Sequence, residues 1–388
     1  MKIRSITPYL FNPRSGKNLL LVRVESDAGI HGWGECYTSL RKEQVVETFV
    51  RCMAPYLVGR DVHDLRHMWR ILFDDFAIRR NSVDLSCAWS GIEIALWDII
   101  GKACDRPVHQ LIGGRQRSRV RVYANGWAEG AGGIDDICEA ARQVVAAGYT
   151  ALKWDPYQGP WRTVASRADV EHAVACVKAV RAAVGPDVDL LIDAHRRVGP
   201  QQAIEFARRI EEFGILQYED PSLADNIDLV AQARGQLRVP IVCGETFYSK
   251  EQFAGLLEAR AADVINPDVC ACGGILATME LAAMAEPYAV LFSPHNNNST
   301  VVGLAATAHV SLAVSNFLIA EYFVNLQPAC DALTATPLKI ENGWLELPDR
   351  PGLGIDIDVE ELRRWPYEDF ASKRLRLPED ESPRVRQA

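Results

Sequence analysis

Short apolar runs of about five residues alternate with helix-length amphipathic segments over most of the chain from Arg121 onward. Strands buried on both faces show such runs, and parallel strands need a helical crossover between them. Eight runs fit, near 121–126, 150–155, 188–193, 215–219, 240–244, 263–267, 289–294 and 317–321. The pattern predicts an α/β fold in which eight strand–helix units close into a (β/α) TIM-type barrel. An open doubly wound sheet is disfavoured because no glycine-rich nucleotide fingerprint follows the first strand.

The N-terminal third has a different pattern and predicts a separate α+β domain. Apolar and polar residues alternate within 1–36, where glycines punctuate antiparallel strands, and residues 43–115 predict helices. A proline- and charge-rich segment follows the barrel, and its large apolar residues should pack back on the first domain. We therefore divide the chain into an N-terminal α+β domain at 1–120, the barrel at 121–325 and a C-terminal segment at 326–388.

Composition and charge restrict the class of protein. Hydrophobic residues make up 48% of the chain and charged residues 24%, as in a soluble globular protein. The net charge of −9 argues against a nucleic-acid partner, and no apolar span reaches the ~18 residues of a membrane helix. Ten cysteines lack metal-type or disulfide-type spacing, which is typical of reduced core residues. We expect a cytoplasmic homo-oligomer that contacts no membrane.

Three acidic residues end successive apolar runs: Asp193, Glu219 and Glu245. The interval between neighbours is 26 residues in both cases. The C-terminal ends of the strands of such a barrel lie in one ring, where these barrels carry their chemistry. Three carboxylates from neighbouring strands should therefore converge on one point. Hard oxygen ligands that leave room for water and substrate suit Mg2+. The spacing predicts one Mg2+ site at the mouth of the barrel.

Other polar side chains lie at the same strand ends, namely Lys153, Asp155, His195, Asp268, His295 and Glu321. Asp268 and His295 follow strands six and seven, so the carboxylate can hold and tune the imidazole. A divalent cation beside a neutral base suits removal of a proton next to a carboxylate, because the metal stabilises the resulting enediolate. Reprotonation from the opposite face would make a racemase or epimerase. Loss of the adjacent hydroxyl would make a dehydratase, which needs a second proton donor.

These residues resemble the enolase superfamily, in its mandelate racemase-like group. The further markers are 95–98 (ALWD), 111–114 (LIGG), 218–221 (YEDP), 266–268 (NPD) and the glycine pair 273–274. The resemblance covers nearly the whole chain and implies that the first domain caps the barrel mouth. Asp193-Ala-His195 resembles the galactonate dehydratase type of acid sugar dehydratase within this group.

The resemblance also implies roles for individual residues. His295, backed by Asp268, would remove the proton at carbon 2, His195 would be the general acid, and Glu321 would hydrogen-bond the substrate carboxylate. Lys153-Trp-Asp155 replaces the Lys-x-Lys of the racemases, which disfavours a racemase with a second lysine. Lys153 alone could still act as the base or bind the carboxylate.

The capping domain would supply substrate contacts, and the strand ends of the barrel would line the rest of the pocket. The candidate substrate-binding residues are Lys17, Tyr37, Arg79, Asp155 and Arg196. The sequence therefore predicts a Mg2+-dependent dehydratase that converts a sugar acid (an aldonate or aldarate) into a 2-keto-3-deoxy acid. The alternatives are an epimerase, racemase or lactone cycloisomerase that uses the same enediolate, and a superfamily relative without activity.

Overall fold

Three antiparallel strands open the chain and pack on one long buried helix. The computed structural model describes residues 1–14, 16–39, 41–76, 81–157, 165–371, 375, 377 and 378. The strands are β1 (Ile3–Phe11), β2 (Leu19–Ser26) and β3 (His31–Cys36), followed by α1 (Glu43–Leu57), α2 (Leu65–Ile71), a π-helical turn (Leu72–Phe76), α3 (Val83–Ala103) and α4 (Val108–Leu111). β3 lies directly on α3 because Gly32 and Gly34 have no side chains. A Cβ on either would lie about 2 Å from a backbone oxygen of α3.

A ring of eight parallel strands follows. Its members are β4 (Val120–Asn125), β5 (Ala151–Trp154), β6 (Asp189–Asp193), β7 (Ile215–Glu219), β8 (Ile241–Cys243), β9 (Val264–Ile265), β10 (Leu291–Phe292) and β11 (Ala320–Phe323). Consecutive strands pair from β4 to β10, and β11 pairs with β4. Phe292 closes the ring by a parallel bridge to Phe317. The predicted barrel is confirmed, and each predicted strand overlaps an observed one, although the eighth extends past its predicted end at 321.

In the described part of the chain, seven helices connect the ring strands on the outside: α5 (Ile134–Ala146), α6 (Arg167–Val184), α7 (Pro200–Ile210), α8 (Ile227–Arg234), α9 (Lys250–Glu258), α10 (Gly274–Ala285) and α11 (Val301–Ala313). Short 3-10 turns (Glu211–Phe213 and Glu286–Tyr288) extend α7 and α10. Several helices start at a side-chain cap, such as the capping box of Ser166 and Asp169 on α6. Within the described residues, no helix combines the length and apolar composition needed to cross a membrane.

The C-terminal segment contacts both preceding parts of the chain. It contains a 3-10 turn (Val324–Leu326), α12 (Gln327–Ala332), β12 (Lys339–Glu341), β13 (Trp344–Glu346) and α13 (Val359–Arg363). The β12–β13 hairpin pairs antiparallel with β4. Farther along, the Leu353 backbone donates a hydrogen bond to Asp98 of α3, and Asn18 donates one to the Glu368 carbonyl. The segment therefore joins the barrel to the first domain.

Two stacked histidines lie at this junction, one from α4 and one from α11. The Nδ1 atoms of His109 and His309 are 3.1 Å apart, and both residues are fully buried. Arg115 donates through Nε to His109 Nε2, so His109 must donate through Nδ1 to His309. Burial lowers the pKa of His109 to about 4 and that of His309 to about 3. Both rings are therefore neutral in the folded protein at neutral pH.

We expect this pair to make the protein less stable in mild acid. The unfolded histidines titrate near 6.5, so this stabilisation is complete above that pH and is lost as the pH falls towards 4. Each histidine contributes a slope on the order of 1.4 kcal/mol per pH unit in that window. Urea unfolding at several pH values should show a flatter dependence for His309→Gln than for the wild type. The exposed control His67→Gln should keep the wild-type slope, and an unchanged slope in His309→Gln would contradict the explanation.

Candidate active site

Three carboxylates meet at the C-terminal end of the ring. Asp193 ends β6 and Glu219 ends β7, and the parallel register places them opposite each other. Glu245 follows β8 after Gly244, which has a φ of +139° and no room for a side chain beside the Phe253 ring. One oxygen of each carboxylate lies within 4.8 Å of the other two. The structure thus brings the three predicted metal ligands together.

This carboxylate triad fits a divalent cation. Its donors are hard oxygens from adjacent strands, which is the ligand type that Mg2+ prefers. Asn266 donates to Glu219 Oε1 over 2.8 Å and so fixes the orientation of that ligand. Burial raises the pKa of both Asp193 and Glu219, and the nearby carboxylate of Glu245 raises it further. Asp193, Glu219 and Glu245 would hold the ion, and its charge would relieve this repulsion.

Lys153 of β5 lies beside the triad with only 2% of its side chain exposed. Its Nζ is 2.7 Å from Glu219 Oε2, 2.8 Å from Glu321 Oε1 and 3.6 Å from Asp193 Oδ2. Burial lowers the pKa of Lys153, but these carboxylates outweigh burial and raise it well above its usual value. Lys153 is therefore a charged ammonium that offsets the acids around it.

Glu321 is fully buried and both of its oxygens already have protein partners. Oε1 accepts hydrogen bonds from Lys153 and from Asn125, while Oε2 accepts one from the Asn296 backbone. Oε2 is also 3.7 Å from His295 Nε2. By the family resemblance, Glu321 would hydrogen-bond the substrate carboxylate, and this role stays a prediction. In the structure Glu321 contacts Lys153, Asn125 and the backbone beside His295.

Asp268 and His295 form a buried carboxylate–imidazole pair on one side of the triad. Asp268 Oδ2 lies 2.7 Å from His295 Nδ1, and the two residues form a parallel backbone bridge. The other ring nitrogen, Nε2, lies 3.2 Å from Glu245 Oε2 and faces the site. Burial lowers the pKa of His295, but the surrounding carboxylates of Glu321, Asp268 and Glu245 raise it well above its usual value. The predicted proximity of Asp268 and His295 is present.

His195 and Asp155 form a second pair on the other side of the triad. His195 Nδ1 lies 3.1 Å from Asp155 Oδ2, and Nε2 lies 3.3 Å from Asp193 Oδ2. His195 adopts a φ of +48° after the strand end, while its backbone N–H donates to Asp193 Oδ1. Burial lowers the pKa of His195, but Asp193 and Asp155 raise it to about 9. Sequence reasoning named both residues but did not pair them.

Two arginines follow His195 and bind acids around the site. Arg196 contacts Asp220 and lies 2.6 Å from Glu245 Oε1, so this candidate substrate contact touches a predicted metal ligand. Arg197 is buried and contacts Asp155. Arg197 and Asn266 were not assigned a role from the sequence. The contacts of Arg197 with Asp155 and of Asn266 with Glu219 span 42 and 47 positions along the chain, and local spacing gives no signal for such contacts.

Lys17 and Tyr37 extend the capping domain towards His295. The Lys17 ammonium lies 5.0 Å from the centre of the Tyr37 ring, which is 6.0 Å from the centre of the His295 ring. Burial lowers the pKa of Lys17, although the nearby Asp268 and Glu35 oppose this. These two candidate substrate contacts therefore lie on the His295 side. The third capping-domain candidate, Arg79, lies outside the described residues.

Two sequence families cover most of the chain. Residues 9–113 match the mandelate racemase / muconate lactonizing enzyme N-terminal domain, and residues 136–362 match the enolase C-terminal domain-like family. The chain belongs to the enolase superfamily, in its mandelate racemase / muconate lactonizing enzyme group. Members of this superfamily bind Mg2+, in agreement with the carboxylate triad. The predicted family is confirmed.

Several characterised or solved members of the family resemble the whole chain. The D-galactonate dehydratase of Ralstonia nicotianae is 33% identical over 364 residues, which cover 92% of each chain. The D-gluconate dehydratase of Thermoproteus tenax is 33% identical over 348 residues, 89% of this chain and 69% of the relative. A crystal structure of a mandelate racemase/muconate lactonizing enzyme from Sulfitobacter sp. superposes with a TM-score of 0.89 at 32% identity, over 96% of this chain and 97% of the other.

Proposed function

We propose that this enolase-superfamily protein is a Mg2+-dependent dehydratase of a sugar acid and forms a 2-keto-3-deoxy acid. The observation that best supports this proposal is the pair of Asp–His units on opposite sides of one carboxylate triad. Dehydration needs two such groups, because one proton must leave carbon 2 while another must reach the departing 3-hydroxyl. The named relatives that are D-galactonate and D-gluconate dehydratases support the same reaction class. The proposed activity is therefore that of a hydro-lyase that acts on an aldonate or aldarate.

His295 is the base in this proposal. Its Nε2 faces the site, whereas Nδ1 bonds to Asp268, so the carboxylate selects the tautomer and holds the ring in place. Nε2 takes the proton from carbon 2 of the substrate, and the electron pair of that bond moves into the carboxylate to form an enediolate. Bound Mg2+ would supply positive charge that stabilises the two carboxylate oxygens during this change. The same charge would offset the carboxylates that raise the pKa of His295, and so favour the neutral ring that this step needs.

His195 is the acid. Its ring is held by Asp155 and lies on the opposite side of the triad from His295. The bond from carbon 3 to its hydroxyl breaks as His195 delivers a proton to that oxygen, and water leaves. The enol that remains takes up a proton at carbon 3, loses the proton of its 2-hydroxyl, and becomes the 2-keto-3-deoxy acid. Asp155 therefore orients the acid in this proposal, in addition to any contact with the substrate.

Lys153 and Glu321 contribute to the proposed reaction as buried charged partners of the residues at the site. Lys153 is enclosed by carboxylates, and this favours a role in holding Glu219 and in attracting the substrate carboxylate over a role as a neutral base. Among the described residues of the capping domain, Lys17 on the Tyr37 ring is a cation placed on the His295 side, where it would contact the substrate. The homo-oligomeric state and the cytoplasmic location stay predictions.

A library of acid sugars tests the proposed function. Each compound is incubated with the protein and Mg2+, and the 2-keto product is detected with semicarbazide. We expect turnover of at least one aldonate or aldarate, and its loss on chelation of the metal. Inverted configuration without a 2-keto product would instead support the epimerase alternative. A wild-type protein that neither turns over nor exchanges the carbon-2 proton of any acid sugar would support the inactive relative.

Replacing His195 with asparagine should separate the two halves of the reaction. We expect dehydration to fall by about 10²-fold or more, because the leaving hydroxyl loses its proton donor. Exchange of the carbon-2 proton with deuterium from solvent should continue, since His295 and the triad are unchanged. NMR of the recovered substrate measures that exchange. His172→Asn, on the outer helix α6, is the matched control, and wild-type dehydration in His195→Asn would exclude the acid role.

A further inference from the structure

Three buried carboxylates of the capping domain accept backbone hydrogen bonds, and two of them do so from the barrel. Glu35 lies at the end of β3, while Glu93 and Asp98 lie on α3, and all are at most 2% exposed. Glu35 and Glu93 bind the first turns of α11 and α10. Asp98 binds the backbone of Trp33 and of Leu353 in the C-terminal segment. The first two therefore reach the barrel helices that follow His295 and Asp268.

Glu35 holds the start of α11, six residues after His295. Its Oε2 accepts from Thr300 Oγ1 at 2.6 Å and from the Gly303 backbone at 2.8 Å, and both oxygens accept from the Thr300 backbone. Thr300 itself caps α11 by accepting from the Val302 backbone. The carboxylate thus satisfies free N–H groups at this helix terminus and fixes the far end of the loop 295–300.

Glu93 holds the start of α10, six residues after Asp268. Its two oxygens accept from the backbones of Ile275 and Leu276 at 2.7 and 3.0 Å. One turn earlier on α3, Ser90 Oγ accepts from the Gly273 backbone at 2.8 Å. Gly274 must be a glycine here, because a Cβ would lie 2.1 Å from the Glu93 carboxylate. The glycine pair therefore allows the backbone at the start of α10 to lie close to Glu93 of the capping domain.

A third contact links the end of β3 to Asp268 through the backbone of Cys270. The Tyr37 backbone N–H donates to the Cys270 carbonyl over 2.9 Å. The Cys270 backbone in turn donates to Asp268 Oδ1 over 2.7 Å, and the other oxygen of Asp268 bonds to His295. Residues 35–37, which we call the β3 strap, thus connect to Asp268 through two hydrogen bonds and to His295 through a third, the one between Asp268 and His295.

The β3 strap and α3 form one rigid support. Gly34 lies so close to α3 that a Cβ would be 1.8 Å from the Gly91 carbonyl oxygen. In the other direction, a Cβ on Gly91 would lie 2.4 Å from Cys36 Sγ. Because packed interiors have little free volume, a shift of β3 would also shift α3. The acceptors on β3 and α3 therefore cannot move independently of each other.

We propose that Glu35 and Glu93 are positioning residues that set the geometry of the Asp268–His295 pair from the capping domain. The inference rests on the proposed function, in which His295 removes the carbon-2 proton. Neither carboxylate reaches the triad, and each acts through the helix and loop it holds. The capping domain thus aligns the base in addition to covering the site. A small misalignment of a base costs a large factor in rate, on the order of 10²-fold for about 1 Å.

The test compares Glu35→Gln and Glu93→Gln with the matched control Asp98→Asn. Glutamine keeps the side-chain shape but removes the charge and turns one acceptor into a donor that faces backbone N–H groups. We expect kcat and the exchange rate at carbon 2 to fall about tenfold in both glutamine variants, with KM within about twofold of the wild type. Asp98→Asn should keep the wild-type kcat, even where its melting temperature falls as far. Equal losses of kcat in all three variants would show a structural role only.

A second measurement needs no substrate. Histidine-selective 15N labelling gives signals for the eight histidines, and His295→Asn assigns the one that belongs to His295. We expect its Nδ1 signal to shift in Glu35→Gln and Glu93→Gln, because the hydrogen bond to Asp268 changes, and to stay in place in Asp98→Asn. An unmoved His295 signal in both glutamine variants would overturn the proposal. A wild-type protein that is inactive on every acid sugar would overturn the proposed function alone, since the NMR signals still decide the positioning role.

Discussion

Replacing His295 with asparagine is expected to lower dehydration by about 10³-fold or more and to stop deuterium exchange at carbon 2. His295 Nε2 is the imidazole nitrogen that faces the triad, and Asp268 fixes the ring through Nδ1. Asparagine keeps a polar group towards Asp268 but cannot accept the proton. Both halves of the reaction then fail together, unlike in His195→Asn. The measurements are 2-keto product formation and NMR of the recovered substrate in deuterium oxide.

Lys153 is the residue that could contradict this assignment. If it were the base, exchange at carbon 2 of the recovered substrate would continue in His295→Asn. Mg2+ binding supplies the control for correct folding, because the triad does not include His295. We therefore expect Mg2+ to raise the melting temperature of His295→Asn as it does for the wild type.

The barrel and its triad were predictable because both depend on regular spacing. Apolar runs at even intervals indicate parallel strands, and a residue at the end of each run must lie on the rim of the ring. Asp193 and Glu219 end adjacent paired strands and so meet by geometry alone. The last ring strand was less regular. Phe317 forms only an isolated bridge to Phe292, and continuous pairing with β4 starts at Ala320.

The contacts between side chains were not predictable in the same way. Alternation along β5 indicates that Lys153 and Asp155 have related orientations, but it does not say that Lys153 contacts Glu321 while Asp155 contacts His195. Those partners depend on rotamers and on backbone conformation after each strand end, such as the positive φ of His195. The link from Glu35 to Thr300 spans 265 positions, and no local pattern reports it.

Replacing Lys153 with methionine is expected to destabilise the protein by on the order of 3–5 kcal/mol when Mg2+ is absent, because buried carboxylates lose their compensating charge. Lys153 lies within 2.8 Å of both Glu219 and Glu321. The same substitution removes a positive charge that competes with a cation for Glu219. Mg2+ should therefore raise the melting temperature of Lys153→Met by more than it raises that of the wild type. Turnover should still fall, since the carboxylate of the substrate loses a cationic partner.

The matched control for this effect is Lys102→Met. Lys102 pairs with the buried Asp98 over 2.7 Å, within the capping domain and away from the triad. Its removal should lower stability by leaving Asp98 with an uncompensated charge, yet the Mg2+-dependent change in melting temperature should match that of the wild type. Thermal unfolding with and without Mg2+ separates the two cases. If Mg2+ stabilised Lys153→Met no more than Lys102→Met, then Lys153 would not share Glu219 with the metal. Its place among the acids would then contribute to folding alone, and the electrostatic link between Lys153 and the cation site would have to be given up.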